Sequence, residues 1–189
     1  GAANKCAFSP DGTYLAVAHA TSPYLTIYKR AGDVFTKLAD VAVPPTGTST
    51  GCAFSADGLH LAVASTISPF ILIYRRQGDM FTKLPNPDGL PPGAATGVGL
   101  DALGSYLAVT SSSAPYLALY RRSGDRYNKL ANPVTLPAGE GKGCAISTNG
   151  AYLAVAHTNS PSVTIYKSDT GFLSVPDYSA VIGPSFVKT

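Results

Sequence analysis

The side chains best equipped for chemistry are His19 and His157, which end two copies of one run, Tyr14-Leu15-Ala16-Val17-Ala18-His19 and Tyr152-Leu153-Ala154-Val155-Ala156-His157. An imidazole exchanges protons near neutral pH and ligates metals. With Glu140, the only glutamate, the pair makes a two-histidine, one-carboxylate set. Zinc needs three or four ligands at fixed geometry, and two histidines from distant parts of the chain plus one loop carboxylate are a thin donor set. No metal is expected; the histidines are expected to end strands and bond to loop backbone.

A second set of charged residues recurs. Lys29-Arg30, Arg75-Arg76 and Arg121-Arg122 are each followed by an acid, Asp33, Asp79 and Asp125, beyond a short Gly-containing turn. Gathered on one face, the cations would make a basic ring for phosphate or an acidic polymer. The favoured reading is a solvated hairpin in which Arg30 and Asp33, and their counterparts, are cross-strand neighbours. There is no Gly-rich phosphate loop and no His-Glu helix. No catalytic residue and no cofactor are assigned.

These residues sit inside a repeat. Cys6-Ala7-Phe8-Ser9-Pro10-Asp11-Gly12 returns from Cys52, in altered form from Val98, and again from Cys144, at a spacing of 52 − 6 = 46 residues. A strict period of this length marks a repeat architecture. In the first copy, 5–9 reads as a short apolar strand and Pro10-Asp11-Gly12 as a tight turn, Gly12 being the residue that tolerates positive φ. Residues 14–19 form the second strand, in which Leu and Val alternate with Ala, as suits a sheet packed on both faces. The Ser22-Pro23 turn leads to a third strand over 24–29, and Ala31-Gly32 to a fourth over 34–38. Ala7, Ala53, Gly99 and Ala145 are all small, as expected where innermost strands converge on an axis.

A four-stranded antiparallel meander repeated at this length predicts an all-β fold, a β-propeller of four 46-residue repeats, either four-bladed or part of a larger ring. The blades are expected over about 1–46, 47–92, 93–138 and 139–178 of a single domain, 1–189, with a divergent tail over 179–189. In the last copy Gly171 to Val175 is a weak match to a fourth strand. Such a tail would close the ring or engage a neighbouring subunit.

Phe8-Ser9-Pro10-Asp11-Gly12 with Tyr14-Leu15-Ala16-Val17-Ala18, followed by Leu25-Thr26-Ile27-Tyr28, resembles the WD-repeat-like blade. Tyr28-Lys29, Tyr74-Arg75, Tyr120-Arg121 and Tyr166-Lys167 stand where that family has Trp-Asp, and no Gly-His pair precedes the first strand. The resemblance is therefore to divergent bacterial and phage relatives, some of them similar to phage tail or other virion components. It implies the blade fold of a propeller.

In such a fold the loops after the second and fourth strands share a face. That places His19, Thr21, Ser22, Tyr24, Ser65, Ser111, Tyr116, Glu140 and His157 together as the candidate binding surface. The expected role is a non-catalytic interaction or structural module for protein or glycan, assembling with other copies or forming part of a larger chain. The alternative is a propeller-type hydrolase, lactonase or lyase with its site on the His19/His157 face. A net charge of +3 does not call for nucleic acid, and no apolar run approaches the length of a membrane span. The three cysteines fall at one repeat position, which Val98 fills in the third copy, and are expected to be buried free thiols. Met80 is the only methionine, so Gly1 is not expected to be the natural start. An extracellular or virion-associated location is favoured.

Overall fold

The computed structural model describes residues 1–167 and the backbone of Ser179 and Ala180. Every element in them is a strand. The first sheet is β1 (Ala3–Phe8), β2 (Tyr14–His19), β3 (Leu25–Ala31) and β4 (Val34–Lys37); the second is β5 (Ser49–Phe54), β6 (His60–Ser65), β7 (Ile71–Gln77) and β8 (Met80–Lys83). The third holds β9 (Ala95–Leu100), β10 (Tyr106–Ser111), β11 (Leu117–Ser123) and β12 (Arg126–Lys129). The fourth holds β13 (Gly141–Ile146), β14 (Tyr152–His157), β15 (Val163–Lys167) and β16 (Ser179–Ala180). Each is an antiparallel meander with strands in chain order. The fold is all-β and of propeller type, with four blades, as the repeat predicts. The fourth blade draws its outer strand from Ser179–Ala180, which pairs with Ile165 and Tyr166; the 171–175 segment lies outside the described residues.

The tight turn has a specific cause. Asp11 accepts from the Ser9 hydroxyl and the Thr13 amide, Ser9 Oγ accepts from the Tyr14 amide, and Gly12 takes φ 65°. These bonds hold the Asp11 carboxyl down at about 2, the Ser9 hydroxyl contributing most. Asp57 builds the same turn in the second blade, and Asn149 in the fourth.

The blades pack face on face. One face of the first, with Tyr14, Ala16 and Leu25, meets the opposite face of the second, with Leu61, Val63 and Tyr74. The second meets the third and the third meets the fourth in the same way. Side-chain size sets the spacing: an added Cβ on Gly97 would stand 2.8 Å from Gly143 Cα, so backbones touch at the inner strands. β1 packs on β5, β5 on β9 and β9 on β13; among the described residues β1 has no comparable packing against β13. The four blades therefore form an arc in which, among the described residues, no other blade covers one face of the first and one face of the last.

Candidate functional site

The β2–β3 turn and its repeats are stitched to the segments that precede each first strand. The amides of Ala20, Thr66, Ser112 and Thr158 donate to the carbonyls of Ala2, Thr48, Ala94 and Glu140 at 2.9 to 3.0 Å. The two loop sets thus share one face. Each turn ends in a residue with left-handed backbone, Tyr24 (φ 64°), Phe70 (φ 66°), Tyr116 (φ 67°) and Ser162 (φ 67°), whose amide closes back on the turn. Non-glycine residues hold that conformation only where surrounding bonds enforce it. The loop face is accordingly a set of stiff turns on a rigid scaffold.

The nine candidate residues divide by exposure. Thr21 and Ser22 are exposed; His19, Tyr24, Tyr116 and Glu140 are half-buried; Ser65, Ser111 and His157 are buried. Ser65 and Ser111 cap their own turns, accepting from the amides of Ile67 and Ser113. His19 Nε2 and Thr26 Oγ1 share a hydrogen bond of 2.9 Å, as do His157 Nε2 and Thr164 Oγ1. Each imidazole is therefore tied to the neighbouring strand of its own blade, while the backbone amides of His19 and His157 donate to the loop carbonyls of Tyr24 and Ser162. They stand on the first and last blades, the ends of the arc. Glu140 pairs with Lys142 at 2.9 Å.

On the opposite face the charged hairpins differ from expectation. Arg30 and Asp33 are not cross-strand partners, since the register sets Arg30 opposite Phe35 and Ala31 opposite Val34. Arg30, Arg76 and Arg122 turn inward, each Nε donating to the carbonyl of Gly12, Gly58 or Gly104. The acids reach the preceding blade: Asp79 pairs with Lys29 at 2.8 Å and Asp125 with Arg75 at 3.0 Å. The bond from Lys29, joined by one from the Tyr14 hydroxyl, holds the Asp79 carboxyl below the usual range. Both cations are neutralised across a blade boundary.

Two features escaped the sequence reading. Phe8, Gly12, Arg30, Gly32, Asp33 and Phe35 line an open concavity of about 410 Å³ on the uncovered face of the first blade. The cysteines are also unequal: Cys52 is buried, its thiol pushed up to about 12 by burial, but Cys6 is exposed, because no blade covers it. The clue lay in comparing equivalent positions once the packing order was known.

Solved structures share this architecture. The chain is similar to a putative 6-phosphogluconolactonase from Bacteroides uniformis (TM-score 0.75, 16% identity, 94% of this chain and 53% of that one). It is similar to the RRP9 WD40 repeats (TM-score 0.69, 18% identity, 94% and 50%). It also resembles Kuenenia stuttgartiensis hydrazine synthase (TM-score 0.65, 17% identity, 87% and 44%). No family model matches the chain, and no curated protein matches it in sequence. The likeness establishes the propeller-type fold, and the chain spans about half the length of these structures. No helix among the described residues is long and apolar enough to cross a membrane.

Proposed function

We propose that this chain is a non-catalytic interaction module that holds a protein or glycan partner on the loop face bearing Thr21, Ser22, Tyr24 and Tyr116. The observation that carries this reading is the use made of the polar side chains. His19 and His157 are tied to Thr26 and Thr164, Glu140 to Lys142, and Asp79 and Asp125 to the preceding blade. Groups committed to bonds within and between blades are poorly placed to move protons, whereas stiff turns of differing sequence suit recognition. A structural subunit of a virion or other extracellular particle fits the same features, and that location is part of the proposal.

The hydrolase alternative draws on the fold shared with putative lactonases. Incubating the full chain with 6-phosphogluconolactone and with simple esters separates the two. The expected rate equals that of buffer; turnover above buffer that His157→Gln abolishes would favour the enzyme. Binding to a glycan array, expected to fall at least tenfold when Tyr24 and Tyr116 are both changed to alanine, tests the glycan arm of the first reading directly.

A further inference from the structure

The first blade carries an empty copy of a pocket that is filled on the second. There Arg76, Gly78, Asp79 and Phe81 receive the Tyr14 ring of the preceding blade. Its hydroxyl donates to Asp79 Oδ1 at 2.5 Å, with Gly78 O at 3.1 Å. The Arg76 guanidinium lies 4.9 Å from the ring centroid, and Phe81 meets the ring edge-on at 5.7 Å. One repeat earlier, the same positions are Arg30, Gly32, Asp33 and Phe35, and these line the open concavity. Phe35 is 41% exposed where Phe81 is 7% exposed. Asp33 forms no ion pair among the described residues.

The matching knob stands at the other end of the arc. Tyr152 occupies the repeat position of Tyr14, yet it is 46% exposed where Tyr14 is 3% exposed. Beside it Ala156 and Val163 are exposed, although their equivalents Ala18 and Leu25 are buried. An added Cβ at Gly51 or Gly97 would meet the next blade's backbone at 3.7 or 2.8 Å, but at Gly143 it meets nothing within 4 Å.

We propose that a second copy of this chain docks head to tail, Tyr152 of one copy entering the Arg30/Asp33/Phe35 pocket of the other, so that two copies close an eight-bladed ring. The occupant follows from continuity: the uncovered faces are the two halves of an interface that the chain already builds between its own blades. Joining them repeats that interface with Asp33 as acceptor for the Tyr152 hydroxyl. A head-to-tail contact leaves both ends to be satisfied, and a ring does so without exposing a further face. Two copies supply eight blades, within the range of propellers of roughly four to eight. They also match the length of the solved propellers, of which one copy covers about half. The inference goes beyond the binding role and does not depend on which partner the loop face takes.

Sedimentation of the full chain from about 1 to 100 µM tests it, a range that brackets micromolar association. The expected result is a species of twice 19.4 kDa. Tyr152→Ala and Gly143→Val each weaken association by about tenfold or more, the loss typical of a central anchor. Both leave the circular dichroism of the dilute protein unchanged, since neither side chain packs against another blade. A readout without substitution follows Cys6, which lies on the docking face: its alkylation slows with rising protein concentration. A chain that stays monomeric at 100 µM, assemblies growing past two copies, or a pair indifferent to both substitutions would each overturn the proposal.

Discussion

Lys29 of the first blade and Asp79 of the second meet at 2.8 Å across a blade boundary, and Arg75 and Asp125 repeat the contact one blade on. These two ion pairs thus join blades and do not close hairpins. Because both partners are well exposed, salt should screen them. A double-mutant cycle on Lys29→Ala and Asp79→Ala, read by urea unfolding, is expected to give favourable coupling at low salt that fades in 1 M sodium chloride. Coupling between Arg30 and Asp33 of similar size would contradict the register.

The arc predicts unequal costs for one substitution at equivalent sites. Leu61 is fully buried against the first blade, whereas Leu15, one repeat earlier, lies on the uncovered face and is only half-buried. Leu61→Ala should destabilise by about 2 to 5 kcal/mol, the range for a core truncation. Leu15→Ala should cost clearly less in dilute solution. Chemical denaturation of both variants at 1 µM checks the ranking.

The inner strands leave no room for a side chain at Gly97, where a Cβ would lie 2.8 Å from Gly143 Cα and 2.9 Å from Thr110 Oγ1. Gly97→Ala is expected to cost about 1 to 3 kcal/mol by forcing the third and fourth blades apart. Gly143→Ala is expected to be near neutral. Melting temperatures of the two variants separate these outcomes.

His60 lies buried against Gly104, with neither ring nitrogen hydrogen-bonded. Burial, with the Arg122 charge adding, holds its imidazole below the usual 6.5. The folded state therefore resists protonation that the unfolded chain accepts, so stability present above about pH 6.5 falls as pH drops below it. Urea midpoints at pH 7.5 and 5.5 should differ in the native protein and differ less in His60→Gln.

Acid should act through Asp11 as well. Its folded value of about 2 lies below the ordinary 3.8, so its contribution is complete above about 3.8 and is lost as pH falls from there toward 2. Asp11→Asn keeps an acceptor for the Thr13 amide but cannot titrate. Its unfolding midpoint should change less than that of the native protein between pH 4 and 2.5.

Much of one blade was legible in the residues. Strand 14–19 follows from alternation of Leu15 and Val17 with Ala16 and Ala18, and the turn at Gly12 from the chemistry of Asp-Gly; both are local. The candidate site was less so. Ser65 and Ser111 stand at the position of His19, yet they are consumed in capping turns. The concavity at Phe8 and Phe35 carried no motif, since these residues are ordinary core positions in the second blade.

The repeat by itself determined the meander and the small residues of the inner strands, because these depend on neighbours within a few residues or one strand away. Only the tertiary structure decided that Asp79 reaches back to Lys29, that Cys6 is exposed while Cys52 is buried, and that Tyr152 stands uncovered where Tyr14 is enclosed. The four copies are nearly alike in sequence, and what distinguishes them is which of their faces another blade covers. That depends on non-local packing, which no property of a single copy encodes.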